Sequence, residues 1–252
     1  MDAQGPLIGV LGGLGPLATA DFLKQIVQLT PAARDQDHFR CIVFSNPHVH
    51  DRSQAILGQG PSPLPQLLSG VAVLERNEVD VIAIPCNTSH YWLSEMRAAT
   101  PIPVLSILEA VRDDLQRRDV SGTIGLMATS GTVKSGIYQR HLAEAGFDTL
   151  EPTDEEQGEL VEAAIRAVKA GRVEAATQLA RTAVARLEAR GARALVLGCT
   201  ELPILVPEAV TVDGSPIVNS TAALAAECVA WATRKAALAP HREQQLEIEE
   251  AR

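Results

Sequence analysis

Two cysteines in this chain stand in matching surroundings. Cys86 lies in Pro85-Cys86-Asn87-Thr88-Ser89-His90 and Cys199 in Gly198-Cys199-Thr200-Glu201-Leu202-Pro203, each closing an apolar run and each followed by hydroxyl or amide side chains. Two thiols on opposite faces of one carbon can take a proton from one face and return one to the other. A single base would have to cross the substrate to do so. A free thiol has a pKa of about 8.5, so it needs help to become the thiolate base. The residues after both cysteines read as helix starts, whose unpaired amides favour negative charge. Cys41, within a strand pattern, and Cys228, within a helical one, lack that context and read as small core side chains. There is no Cys-x-x-Cys pair and no zinc-type Cys/His spacing, so the thiols are expected free and no metal site is expected.

Other polar residues cluster where a small anion could be held. Gly12-Gly13-Leu14-Gly15-Pro16 follows an apolar run and opens a helix. Gly13 to Ala18 formally fits the GxGxxA dinucleotide pattern, but Phe44-Ser45-Asn46-Pro47 stands where the ribose-binding acid belongs. An amide nest at Gly13 and Leu14 for a small anion is the preferred reading. Ala128-Thr129-Ser130-Gly131-Thr132 is its counterpart later in the chain. Arg52, in a polar loop, has the planar fork that grips a carboxylate, with Asp51 placed to orient it, although the pair also reads as an ordinary solvated loop. Lys169 ends an amphipathic helix, the usual place for a solvated lysine. His90, four residues after Cys86, either faces the cleft or serves the structure.

The elements that must position these residues alternate strand and helix. Strands are predicted at Leu7–Leu11, Cys41–Phe44, Val79–Ile84, Val104–Ile107, Thr123–Met127 and Ala194–Leu197, and helices at Ala18–Leu29, Lys134–Ala145, Glu155–Ala170 and Val173–Arg190. Continuous apolar strands between helices predict an α/β fold with parallel sheets covered on both faces. The pattern also repeats. Leu7-Ile8-Gly9-Val10-Leu11 matches Thr123-Ile124-Gly125-Leu126-Met127 at an offset of 116 residues. The two cysteine motifs, and Ile102-Pro103-Val104 with Ser215-Pro216-Ile217, match at 113. The repeat predicts two similar halves, 1–105 plus 214–252 and 106–213, with each cysteine at the carboxyl end of a strand, where parallel sheets place their ligands. The tail from Pro240 is charged and predicted frayed or briefly helical.

Composition narrows the function. The chain has 252 residues, a formal net charge of −9 and 46% hydrophobic residues, of which few are aromatic, so aliphatic side chains must build the core. The acidic balance argues against nucleic acid as a partner. No run of about 18 apolar residues is present to span a membrane. Met1 to Pro6 has no basic leader, so a cytoplasmic location is expected.

Gly12-Gly13-Leu14-Gly15-Pro16-Leu17-Ala18-Thr19 and the two cysteine motifs resemble the three signatures of the aspartate/glutamate racemase family, over about residues 6–235. Glu201-Leu202 after Cys199, and Ser45-Asn46-Pro47 before Asp51-Arg52, look more like aspartate racemases than cell-wall glutamate racemases. The resemblance implies two Rossmann-like domains related by pseudo-two-fold symmetry, a homodimer, and no pyridoxal phosphate or other cofactor. It implies that Cys86 and Cys199 are the acid/base pair on aspartate, glutamate or both, with Cys86 serving the D-enantiomer and Cys199 the L-enantiomer. Arg52 and Lys169 would hold the distal carboxylate. Asn87, Thr88, Thr129 and Thr200 would hold the α-carboxylate or ammonium. A maleate isomerase-like reaction, with covalent attack by one thiol, and a non-catalytic two-lobed binding protein remain open.

Overall fold

The computed structural model describes residues 5–206 and 215–250, with side chains as far as residue 238. The start from Met1 falls partly outside them, and the 213/214 boundary entirely so. The first half runs β1 (Leu7–Gly12), α1 (Pro16–Leu29), β2 (Arg40–Ser45), α2 (Arg52–Ile56), α3 (Leu64–Arg76), β3 (Val81–Ala83), a 3-10 turn (Thr88–Trp92) and α4 (Leu93–Ala98). The chain then crosses through α5 (Ile107–Arg117) to β4 (Ile124–Ala128), α6 (Ser130–Ser135), α7 (Ile137–Ala143) and β5 (Thr149–Leu150). α8 (Asp154–Glu156), a π-turn (Gln157–Glu162) and α9 (Ala163–Lys169) follow. After them come α10 (Val173–Ala189), β6 (Ala194–Gly198), α11 (Leu202–Leu205), β7 (Ile217–Asn219) and α12 (Ser220–Glu250).

All strand pairs are parallel, in the orders β2-β1-β3 and β5-β4-β6-β7. β1, β3, β4 and β6 are buried almost throughout, as apolar strands covered on both faces must be. The repeat reappears in the register. Gly9 pairs with Ile82 in the first sheet, as Gly125 pairs with Leu195 in the second. Ile82 bridges to Val104, as Leu195 pairs with Ile217, again 113 residues apart. Even the Ile82 amide to Pro103 carbonyl bond, 2.8 Å, has its twin from Leu195 to Pro216, 2.9 Å.

Four sequence expectations change. Val104–Ile107 is not a strand: only Val104 bridges, and Ile107 already opens α5, capped by Ser106. The helix expected at 134–145 breaks at Gly136, whose φ of 68° is cheap only for glycine. The segment after 214 assigned to the first half contributes β7 to the second sheet. The tail from Pro240 continues α12, its Glu, Gln and Leu residues being good helix formers. α12 packs on α1 and α5, and one apolar cluster takes in Ile8 and Val10, Ile124 and Leu126, Ile107 and Val111, and Leu224 and Cys228. The two sheets therefore share a core through α5 and α12, which fixes the two strand ends relative to each other. Among the described residues no helix is long and apolar enough to cross a membrane.

Candidate active site

Cys86 and Cys199 line the same cavity, with Leu14, Arg52, Asn87, Thr88, Thr129, Lys169 and Thr200 around it. Asp51, Ser53 and Glu201 complete the lining, and the space measures about 320 Å³, including the part open to solvent. Gly13 instead borders an outer cavity of about 880 Å³, which shares Leu14, Asp51, Arg52, Lys169 and Glu201 with the inner one. All four cysteines are free. Cys41 and Cys228 pack in the shared core, where burial raises both thiols above their ordinary pKa.

The turn after Cys86 is anchored on every side. The Cys86 carbonyl accepts from Ser89 Oγ at 2.7 Å and from His90 Nδ1 at 2.9 Å. His90 Nε2 accepts the Ile107 amide at 3.0 Å, so the neutral tautomer with the proton on Nδ1 is the one that fits both partners. Burial lowers His90 to a pKa of about 4. His90 thus ties the Cys86 turn to the start of α5. Asn87 is gripped through both amide atoms: Tyr138 Oη donates to Oδ1, and Nδ2 donates to Ser220 Oγ at 3.0 Å. Ser220 in turn donates to the Leu197 carbonyl in β6 at 2.7 Å. Thr88 joins Thr129 and Thr132 in a triangle of hydroxyls, each pair 2.9 Å apart. That triangle and the Asn87 chain stitch the two halves together at the cavity floor.

Cys199 stands in a different field. Its Sγ donates to Glu201 Oε2 at 3.1 Å, and Glu201 Oε1 lies 3.8 Å from Lys169 Nζ. The expectation that a helix start lowers this thiol fails. Burial first, and the Glu201 carboxylate second, push Cys199 well above its ordinary value, while Lys169 only partly opposes them. α11 is a four-residue turn, too short for its amides to matter against a carboxylate in contact. Burial alone would lower Lys169, but Glu201 and Cys199 outweigh it and hold its pKa up.

Arg52 donates to three backbone carbonyls: Leu14 at 2.6 Å, His50 at 3.2 Å and Val49 at 3.3 Å. Its Nε is buried and has no partner among the described residues. Asp51 does not orient it; its carboxylate caps α2 by accepting the Gln54 amide at 2.8 Å, an N-cap role that competes for the same oxygen atoms. The glycine nest is also altered. Gly13, at φ 87°, gives its amide to Thr19 Oγ1 at 2.9 Å, and a Cβ there would collide with the Asn46 backbone. In the counterpart loop, Glu162 already accepts the Ser130 amide at 2.5 Å, and Thr129 caps α6.

Residues 11–228 match the family described as Asp/Glu/hydantoin racemase. The chain belongs to this family. It is 26% identical to the broad-specificity amino-acid racemase RacX of Bacillus subtilis over 227 residues, 88% of this chain and 96% of that one. It is 31% identical to a glutamate racemase of a Shewanella strain over 218 residues, 84% and 73% of the two chains. Its structure resembles that of Picrophilus torridus aspartate racemase with a TM-score of 0.81 at 28% identity, covering 91% of this chain and 95% of the other. An aspartate racemase homologue from Pyrococcus horikoshii shares the fold, with a TM-score of 0.72 at 22% identity and coverage of 90% and 98%.

Membership makes the protein an amino-acid racemase, an enzyme of the isomerase class. Within this racemase, sequence reasoning missed Ser53 in the cavity lining and three residues that act on the site through their contacts. Tyr138 and Ser220, which hold Asn87, carry no local signal, because long-range packing brings them there. Glu201 did carry one. At the 113-residue offset it stands where the first half has Thr88, so a carboxylate replaces a hydroxyl two residues after the cysteine.

Proposed function

We propose that this racemase interconverts the enantiomers of aspartate, glutamate or both without pyridoxal phosphate, with Cys86 and Cys199 as its two acid/base groups. The observation that carries this reading is that both cysteines, from the ends of equivalent strands in the two halves, line one cavity. One thiolate takes the α-proton: an S–H bond forms, the C–H bond breaks, and the electron pair stays on the α-carbon and its carboxylate. The other thiol gives its proton to the opposite face. No bound group need delocalise the carbanion if preorganised donors support it. Asn87, Thr88, Thr129 and Thr200 would hold the α-carboxylate and ammonium. The hydroxyl triangle can turn one O–H outward to a carboxylate or keep its lone pairs for an ammonium.

Arg52 and Lys169 would take the distal carboxylate. The buried, unpartnered Nε of Arg52 supports this, since a guanidinium N–H away from water is costly until an acceptor arrives. By resemblance, Cys86 serves the D-enantiomer and Cys199 the L-enantiomer. A wider substrate range has support of its own: the outer cavity adds Pro16, Leu17, Pro47, Val49 and Val168, apolar carbon that suits side chains longer than a dicarboxylate's. A homodimer is supported by the exposed Val43 on edge strand β2 and Val27 and Leu29 on α1, apolar surface that a second copy would cover.

The test is α-hydrogen exchange in D2O with both enantiomers of the common amino acids, followed by chiral analysis. Exchange and racemisation of aspartate or glutamate support the reading. Exchange confined to neutral amino acids would remove the distal-carboxylate assignment. No exchange with aspartate or glutamate, or conversion of maleate to fumarate in its place, would overturn the reading.

A further inference from the structure

The two thiols are equally enclosed, Cys86 at 5% and Cys199 at 4% exposure, yet their electrostatic partners differ. Cys199 Sγ is 3.1 Å from Glu201 Oε2, whereas Cys86 Sγ has no hydrogen-bond partner among the described residues. Glu201 is itself 4% exposed, and Thr200 Oγ1 reaches the same Oε2 at 3.4 Å. A thiol can donate to a carboxylate, but a thiolate beside one meets like charge. Resting on the two-thiol reading, we infer that Glu201 is a positioning residue that keeps the labile proton on Cys199 in the empty enzyme.

Glu201 and, from the end of α9, Lys169 are nearest to Cys199; Arg52, Asp51 and Cys86 lie around the cavity, and Tyr138 on α7 is neutral beneath it. Lys169 favours the thiolate, but it is half-exposed, while Glu201 is buried and in contact. The raised pKa of Cys199 agrees with that balance. The two halves of the repeat therefore supply chemically equal sulfurs with unequal charged neighbours.

Limited alkylation tests this without turnover. The purified wild-type enzyme is treated with a sub-stoichiometric amount of iodoacetamide across a pH series, and the labelled cysteine peptides are quantified by mass. At neutral pH Cys86 should react roughly tenfold or more faster than Cys199, because only the thiolate attacks. In Glu201→Gln the pH midpoint of Cys199 labelling should fall by about one unit, with a roughly tenfold gain in rate at neutral pH, while Cys86 changes little. Lys169→Met should move the Cys199 midpoint the other way. Preferential labelling of Cys199 in the wild type, or a Cys199 midpoint unmoved by Glu201→Gln, would overturn the inference. A failure of the two-thiol reading would look different: full racemisation in Cys199→Ser while wild type and Glu201→Gln keep the labelling expected above.

Discussion

At the Cys86 end of the cavity the chain is tied down through everything except the sulfur. The Cys86 carbonyl holds Ser89 and His90, Asn87 is clamped between Tyr138 and Ser220, and Thr88 sits in a hydroxyl triangle. At the Cys199 end the sulfur itself is held, by Glu201, and the following turn has fewer anchors of its own. The same strand-end geometry thus fixes the backbone of one thiol and the charge of the other. Equivalent places in a repeated fold need not be equivalent in chemistry. Two residues past each cysteine, a hydroxyl in one half and a carboxylate in the other are enough to separate them.

The largest expected effect tests whether the two ends form one machine. Cys86→Ser and Cys199→Ser should each lower racemisation by several orders of magnitude, about as much as the double variant, since residues acting as a unit are not additive. Chiral chromatography of either enantiomer reads this. Near-normal racemisation in either single variant would show that one end suffices. Cys228→Ser should leave turnover in place and lower Tm, because it puts a hydroxyl into the shared apolar core.

Arg52, in the cavity lining, comes next. In Arg52→Ala three carbonyls lose a donor, and an acidic substrate loses its fork, so kcat/KM for aspartate or glutamate should fall roughly 30- to 100-fold or more, the equivalent of about 2–3 kcal/mol. Arg52→Lys should restore little, because a point charge cannot span the fork. Steady-state kinetics on acidic and neutral amino acids separate the two roles. An equal loss on both would assign Arg52 to the cavity wall alone.

The anchoring of the Cys86 end also predicts a pH effect on stability. His90 binds its proton with a pKa of about 4 when folded, against about 6.5 when unfolded, so between these values the unfolded chain carries more protons. Stability therefore rises with pH through that window and is lost as pH falls from about 6.5 towards 4, by up to roughly 3 kcal/mol. Urea unfolding at pH 7.5, 6 and 5 measures it, and His90→Gln should flatten that part of the slope. A slope unchanged in the variant would remove His90 as its source.

The smallest expected effect concerns Tyr138→Phe, which leaves Asn87 Oδ1 buried without its donor. It should cost about 1–3 kcal/mol of stability and slow racemisation in both directions without moving the Cys199 labelling midpoint. A shift in that midpoint would mean that the two ends are electrostatically linked through the cavity floor.

Much of this is legible in the sequence alone. Apolar strands between helices specify parallel sheets, because only strands buried on both faces can be apolar throughout. The 113-residue repeat put Cys86 and Cys199 at equivalent strand ends, and the paired registers Gly9–Ile82 and Gly125–Leu195 carry that repeat into the sheets. What local sequence could not supply was partnership across the chain. Asp51 turned to its own helix, Gly13 to Thr19, and the Ser130 amide to Glu162, since a nearby internal acceptor satisfies a donor before any ligand can. His90 reads as ambiguous until the Ile107 amide is seen on its far nitrogen. Residue type and strand position determined which groups stand at the cavity. Burial and long-range contact decided their charge, because a thiol's proton affinity depends on the carboxylate 3.1 Å away and the water excluded around both.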